Sequence, residues 1–328
     1  MLRLPVFGSA APTTISELVA ELSKNGARLV AGGTDLLPNL KHGLEAPSTL
    51  VSTDRVESLR EVSWHEDKAE LHVGASVTLS DIASDTKIIG RFPSFAQAAG
   101  LVASPLIRNM ATIGGNINLD TRCRYVNQSE FWRSSIGGCL KAAGDVCHVV
   151  PKGRSCVAAM SSDCVPALIS LGAELLQIGP EGERRVLLAD YYNNEGTKHT
   201  ERKDGEFTAK LILPISDKPS RSSYTKWSVR KSIDFPLLSI AMNFELASDS
   251  LDAEIVSATI CLGVLAAKPK VLKTGKLVGL RLSDTKTAEL VGELCFKQGK
   301  PLENVPYDAD YRRKMLRVFG RRAVLALS

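Results

Sequence analysis

Four cysteines, Cys123, Cys139, Cys147 and Cys156, fall within 34 residues and are separated by 15, 7 and 8 residues. Four thiolates gathered by one local segment form a soft donor set, suited to an iron–sulfur cluster or to zinc rather than to calcium or magnesium. The spacing matches neither the close pairs of zinc ribbons nor the compact run of bacterial ferredoxins, so it leaves both metals open, and His148 is an available substitute ligand for zinc. Packing as small apolar residues is the bland alternative. Against it, the neighbours Arg122, Arg124, Gly138, Lys141, Asp145, Lys152 and Arg154 give no apolar periodicity to bury. Disulfides are disfavoured because no signal peptide marks export. Cys164, Cys261 and Cys295 lie singly in apolar runs and read as core.

Two glycine pairs carry the second chemical signal. Gly32-Gly33-Thr34-Asp35 and Gly114-Gly115-Asn116 let the backbone approach a ligand, offer N–H donors, and set a hydroxyl or amide beside them, as a diphosphate requires. Neither is a dinucleotide fingerprint or a Walker loop. Singly, each reads as an ordinary turn. Together in one domain, with Asp163 and the basic stretch from Lys226 to Lys231, they point to a large phosphate-bearing cofactor. No Ser/His/Asp or paired-carboxylate constellation stands out, so no catalytic residue is assigned.

The elements that position these residues follow from capping and periodicity. Thr14 with Glu17 forms a capping box, Ile15, Leu18, Val19 and Leu22 share a face, and Gly26 closes the helix. A strand over residues 27–31 then runs into the first glycine pair and a short segment ending near Gly43. Further strands are expected over 49–52 and 70–74, and helices over 78–84, 93–102 and 164–171. A hairpin joins 174–178 to 184–188, and a strand over 207–213 ends at Pro214. Residues 216–223 read as a linker. Beyond it, strands over 224–229, 238–246 and 254–264 precede helices over 284–297 and 310–326, an α+β pattern. Arg312, Arg313, Lys314, Arg317, Arg321 and Arg322 are expected on the wet face of the last helix. The chain has 328 residues, 44% hydrophobic content and a net charge of +5. These values suit a folded protein of about two domains with no membrane span and no nucleic-acid module, and cytoplasmic residence is the expectation.

Ala31-Gly32-Gly33-Thr34-Asp35-Leu36, Ile107-Arg108-Asn109, Thr112 to Ile117, Ser162-Asp163 with Pro166-Ala167-Leu168, and Tyr311-Arg312-Arg313 resemble the FAD-binding subunits of the xanthine dehydrogenase (molybdenum hydroxylase) family. The resemblance covers essentially the whole chain. In most such subunits the segment matching Asn116–Ser162 is a short loop. Here it is an insert, and Asp120–Tyr125, Asn127–Ser134 and Gly144–Val149 resemble the β subunit of 4-hydroxybenzoyl-CoA reductase, whose corresponding cysteines hold a 4Fe-4S cluster.

The resemblance implies a two-part FAD-binding domain of the vanillyl-alcohol-oxidase (PCMH) type over residues 1–214, with a cluster insert at 118–161, and a small α+β C-terminal domain over 215–328. Val30, Ala31, Gly32, Gly33, Thr34, Asp35 and Leu36 would wrap the FAD diphosphate, with Ala111, Thr112, Gly114, Gly115 and Asn116 approaching from the second loop. Asp163 and Lys226 would anchor the cofactor's ribityl or nucleotide end and its flavin side. Cys123, Cys139, Cys147 and Cys156 would hold the 4Fe-4S cluster. The implied partners are a molybdopterin-binding large subunit and a 2Fe-2S small subunit, with ferredoxin as electron donor, and the implied reaction is reductive dehydroxylation of 4-hydroxybenzoyl-CoA. Arg122, Arg124, Arg133, Lys141 and Lys152 are expected to form a basic docking rim. The FAD subunit of an aldehyde or other aromatic oxidoreductase is the nearer alternative, and a zinc-stabilised interaction protein the farther one.

Overall fold

The structure, a computed structural model, describes residues 2–327. Its first part is a three-stranded parallel sheet made by β1 (Gly8–Ala10), β2 (Ala27–Val30) and β3 (Thr49–Ser52) in the order β1-β3-β2, with α1 (Ile15–Leu22) and α2 (Leu36–Lys41) in the connections. Thr14 Oγ1 accepts from the Glu17 N–H at 3.2 Å, and the Glu17 carboxylate reaches back to the Thr13 N–H at 2.8 Å. The box therefore closes one residue earlier than the sequence pattern suggests. Leu18 of α1 is fully buried against Val51 of β3 and Phe207.

The second part is a five-stranded antiparallel sheet. Its strands are β4 (Val62–His65), β5 (Glu70–Gly74), β6 (Glu174–Gly179), β7 (Gly182–Leu187) and β8 (Phe207–Pro214), in the order β4-β5-β8-β6-β7. Between β5 and β6 run α3 (Leu79–Ser84), α4 (Thr86–Arg91), α5 (Pro93–Gly100), α6 (Pro105–Arg108), α7 (Ile113–Ile117), α8 (Glu130–Ser135) and α9 (Cys164–Ser170). The main core packs Leu79, Phe95 and Leu168 of these helices on Leu71, Val73 and Leu211 of the sheet.

The third part is an antiparallel sheet of β9 (Ser220–Trp227), β10 (Leu238–Leu246), β11 (Ile255–Gly263) and β12 (Lys270–Val271), in the order β12-β11-β10-β9, covered by α10 (Thr285–Gln298) and α11 (Ala309–Leu325). Helix α9 belongs to the main core together with Tyr224, Ala241 and Cys261 of this third sheet, so one buried helix ties the second and third parts together. The α+β architecture agrees with the sequence reading, and Cys164, Cys261 and Cys295 are buried.

Two sequence expectations need correction. β9 begins at Ser220, inside the expected linker, because Ser220 to Ser223 pair with Met242 to Glu245 of β10 through backbone that a polar sequence does not advertise. Arg312 does not sit on a wet face. It is completely buried, and its guanidinium donates to the carbonyls of Leu237, Val264 and Leu302, with bonds of 2.6–3.0 Å. Burial lowers its pKa to about 10. Among the described residues no helix is long and apolar enough to cross a membrane.

Candidate cofactor site

Strand β2 ends at Val30, and the chain turns through Gly32 to Asp35 before α2, with Gly33 at a φ of +68°. The backbone N–H groups of Gly32, Gly33, Thr34 and Asp35 donate to no acceptor among the described residues. Four adjacent unspent amide donors in a tight turn are an anion-binding concavity. The second loop differs. Its Ile113 and Gly114 N–H groups bond to Val77 O and Ala75 O at 3.0 and 2.8 Å, and those of Gly115 and Asn116 bond to Thr112 Oγ1 and Thr112 O. It is a wall rather than a second nest, contrary to the sequence expectation that both loops offer several donors.

The glycines permit close packing of the first loop on Met110, just before the second loop, and of the second loop on Ala75. A Cβ on Gly32 would lie 1.8 Å from Met110 O, and one on Gly114 would lie 2.7 Å from Ala75 Cβ. Between the loops lies a cavity of about 350 Å³. All the residues assigned from the two loops line it, from Val30 to Leu36 and at Ala111, Thr112, Gly114, Gly115 and Asn116. Asn116 Oδ1 accepts from Ser162 Oγ at 2.6 Å and Cys164 N at 3.3 Å, and its amide nitrogen has no partner among the described residues.

Asp163 also lines the cavity, but Lys226 does not. The buried Asp163 carboxylate accepts from Tyr224 Oη at 2.6 Å and from Lys226 Nζ at 2.9 Å. Burial pushes its pKa up, against the pull of Lys226. The remaining Lys226 contacts are the carbonyls of Leu101 and Asp234 at 3.0 and 2.9 Å, so its three ammonium donors are spent. Lys226 thus holds Asp163 in place rather than facing the cavity.

The cysteine insert abuts this cavity. Arg122 pairs with Asp35 of the first glycine loop and lies 4.7 Å from the Phe235 ring centroid. Its Nε is buried without a partner, and Arg122 lines the cavity. Next to it, Cys123 begins a small buried module with Val126, Cys156 and Ala158, and Cys139 and Cys147 are also buried. Burial raises the Cys123 thiol; the Tyr125 and Val126 N–H groups oppose this, while nearby Cys139 and Cys147 add to it. Cys156 is pushed up to about 11 by burial, opposed by the Ala158 N–H and Lys141, with Cys123 among the groups adding to the rise. Val150 N–H donates to Cys147 Sγ at 3.5 Å.

Three members of the expected basic rim point inward. Arg133 donates to the carbonyls of Val126, Gln128 and His42, which braces the insert. Lys141 is bound to Asp120 and Gly196 O, both at 2.7 Å, and Arg122 is bound to Asp35. Only Arg124 and Lys152 of the five are exposed. His148 Nε2 lies 2.7 Å from Gly138 O and is not directed at the thiols. Among the described residues no group of three or more His, Cys, Asp or Glu side chains is arranged to hold a single metal ion.

The family profile described as the FAD binding domain in molybdopterin dehydrogenase matches residues 5–216, and that of the CO dehydrogenase flavoprotein C-terminal domain matches residues 223–327. The chain belongs to the FAD-binding subunits of the molybdenum hydroxylase family. It is 31% identical to the FAD-binding subunit of an Escherichia coli aldehyde oxidoreductase over 74% of this chain and 76% of that one. It is 28% identical to the carbon monoxide dehydrogenase medium chain of Afipia carboxidovorans, over 95% of this chain and 93% of that one. A chain of a crystal structure of the Cu,Mo-CO dehydrogenase superposes with a TM-score of 0.78 and 26% identity, covering 99% of both.

For an FAD-binding subunit, the cavity has the right donors. Four unspent amides and the free amide nitrogen of Asn116 suit phosphoryl oxygens, and the glycines admit a closely held ligand. Sequence reasoning placed Arg122 on a surface rim and did not mark Phe235 at all. The available signal was adjacency: Arg122 directly precedes the first cysteine and follows the second glycine loop by only a few residues.

Proposed function

We propose that this chain is the FAD- and 4Fe-4S-containing electron-transfer subunit of a molybdenum-dependent oxidoreductase, working with a molybdopterin-binding large subunit and a 2Fe-2S small subunit. When bound, the flavin and the cluster supply the redox chemistry, and the organic substrate is held by a partner. The observation that carries the reading is the insert: four buried thiols in one segment, Cys123 and Cys156 packed together in its small core and Cys147 Sγ accepting from Val150 N–H, joined through Arg122 to the wall of the FAD cavity. N–H donors to sulfur and burial tune cluster potential. A cluster spreads its thiolates more widely than a single ion does, so a cluster is compatible with thiols that share a module without converging on one point.

Within this arrangement, the first glycine loop binds the diphosphate, Asp163 is fixed by Lys226 and Tyr224 at the cavity wall, and Arg133 keeps the insert folded. The raised Cys123 and Cys156 thiols must lose protons when metal binds, so loading releases protons and is favoured by higher pH.

The insert's wording favours reductive dehydroxylation of 4-hydroxybenzoyl-CoA, with ferredoxin as donor. The 31% identity to an aldehyde oxidoreductase subunit favours aldehyde oxidation as the second reading. Iron and sulfide analysis after anaerobic reconstitution tests the cluster, with Cys123→Ser and Cys156→Ser as controls. About four irons per chain, lost in both variants, is expected; zinc alone, or no metal, refutes it. Turnover of 4-hydroxybenzoyl-CoA against aldehydes by the co-purified complex separates the two substrate readings.

A further inference from the structure

One stretch of the FAD cavity wall is apolar, and it is built from two segments that meet. Val102, Ala103 and Ile107 come from the end of α5 and from α6, and Ile233 and Phe235 from the connection between β9 and β10. The Ile233 N–H donates to Ala103 O at 2.8 Å, which closes the two segments into one surface. Elsewhere the lining is polar, with Arg28, Glu45, Asn118, Asp120 and Thr208. The isoalloxazine ring is the flat and least polar part of FAD, so the apolar stretch suits it, and the polar lining suits the nucleotide.

Arg122 is the cavity-lining cation that stacks on this apolar stretch, its guanidinium 4.7 Å from the Phe235 ring centroid. Most of its donors are unspent. Nη2 is paired with Asp35, whereas Nε is buried with no partner and Nη1 makes no hydrogen bond with any described residue. A buried N–H left open costs free energy that an acceptor in the cavity would recover. The other acidic groups of that wall are already engaged: Asp163 by Tyr224 and Lys226, and Asp234 by the Arg230 N–H. The polar edge of an isoalloxazine, N1 with the C2 carbonyl, is such an acceptor. It is also where negative charge gathers when a flavin takes up two electrons and one proton.

We propose that Arg122 sets the reduction potential of the bound flavin, donating from Nε to the N1–C2 carbonyl edge of the isoalloxazine while Asp35 and Phe235 hold the guanidinium in place. A hydrogen bond to an ionised acceptor is stronger than one to a neutral acceptor, so Arg122 favours the reduced over the oxidised flavin. Because Arg122 directly precedes Cys123, the insert and not the glycine loops then supplies the group that tunes the cofactor. The inference rests on FAD binding by the first domain and needs no metal at the cysteines, so loss of the cluster reading in iron analysis would leave it standing.

The test uses the metal-free, full-length chain loaded with FAD and titrated with dithionite against a reference dye. It compares the parent with Arg122→Met, Arg122→Lys and the double variant of Arg122→Met with Asp35→Asn. The backbone bonds between residue 122 and Ala159 persist in all of them. With one charge-assisted bond lost, Arg122→Met should hold reduced flavin about tenfold or more less tightly relative to oxidised flavin, which lowers the two-electron potential by about 30 mV or more. Arg122→Lys keeps a cation and recovers part of that shift. The double variant restores the charge balance of the wall but not the donor, so its potential stays below that of the parent. If Arg122→Met does not retain flavin, Arg122→Lys decides: a shift of about threefold or more in the same direction supports the proposal, and none overturns it. An unchanged potential in Arg122→Met with FAD weakened equally in both redox states would place Arg122 on the diphosphate and overturn the proposal. So would an unchanged potential with unchanged affinity, or a double variant at the parent's potential, which would assign the effect to net charge alone. A parent chain that takes up no FAD overturns both this inference and the reading of the cavity.

Discussion

Replacing Gly32 by Ala should strip the chain of flavin while leaving most of the fold in place. The added Cβ would meet Met110 O at 1.8 Å and Met110 C at 2.5 Å, and both are backbone atoms that no rotamer change can move. Reaching even a 3.0 Å approach requires the two loops to separate by about 1.2 Å. Hydrogen bonds span only about half an ångström of useful donor–acceptor distance, so a shift of that size removes the Gly32 and Gly33 N–H groups from a diphosphate they would otherwise contact. Two bonds to a charged acceptor, at about 1.5–3 kcal/mol each, amount to about 3–6 kcal/mol, or about a hundredfold to ten-thousandfold in Kd. The assay is quenching of flavin fluorescence on titration of the stripped chain. Gly275→Ala is the control, because a Cβ there meets nothing within 4 Å. If Gly32→Ala binds FAD within about threefold of the parent chain, the first loop does not carry the diphosphate and the site has been misplaced.

Other outcomes follow from the buried polar groups. Arg312→Met should lower the unfolding free energy in urea by about 3 kcal/mol, since the carbonyls of Leu237, Val264 and Leu302 lose their donor; a loss below about 1 kcal/mol would contradict this. Lys226→Met should destabilise more than the double variant with Asp163→Asn, because the single change strands a buried carboxylate. Equal losses in urea unfolding would mean the pair is not coupled. Burial lowers the His199 pKa to about 4, so on acidification from about 6.5 the unfolded chain takes up a proton that the folded one refuses. Stability should therefore fall between about pH 6.5 and 4, and His199→Gln should flatten that part of the urea-midpoint profile; an unchanged slope would show that other groups cause it.

What the sequence revealed was what depends on local rules. Helix α1 was readable because its cap, apolar face and terminating glycine are contiguous, and both glycine loops because close backbone approach needs a specific residue type. Which loop keeps its donors free was only partly readable: Thr112 takes the Gly115 and Asn116 amides locally, but those of Ile113 and Gly114 are consumed by Val77 and Ala75, more than thirty residues earlier in the chain. The basic residues were misjudged for the same reason. Arg122, Arg133 and Arg312 look solvated by composition, yet each is drawn inward by partners remote in sequence: Asp35, His42 O and Leu237 O. The start of β9 was hidden because an edge strand's pairing is made by backbone, and Ser220 to Ser223 carry no alternation to expose it.

The insert is mechanically continuous with the flavin site, and this has a measurable consequence. Arg122 exchanges backbone hydrogen bonds with Ala159 at 2.8 and 2.7 Å, which pins the residue before Cys123 to the strand-like segment that follows Cys156. The same residue's guanidinium holds Asp35, whose own N–H is one of the four unspent donors of the first loop. On the proposed reading, ordering the thiols by metal would fix Arg122, and fixing Arg122 would order the first glycine loop. Binding linkage is reciprocal, so iron loading should tighten FAD by the same factor by which FAD tightens metal retention. Asp35→Asn keeps the shape but removes the charge that Arg122 grips, and should reduce that factor toward one while leaving the iron content of the reconstituted chain intact. FAD titrations of metal-free and metal-loaded chains measure it directly. An undiminished coupling factor in Asp35→Asn would mean that the two sites communicate through another path, or that the Arg122 contact does not transmit the change.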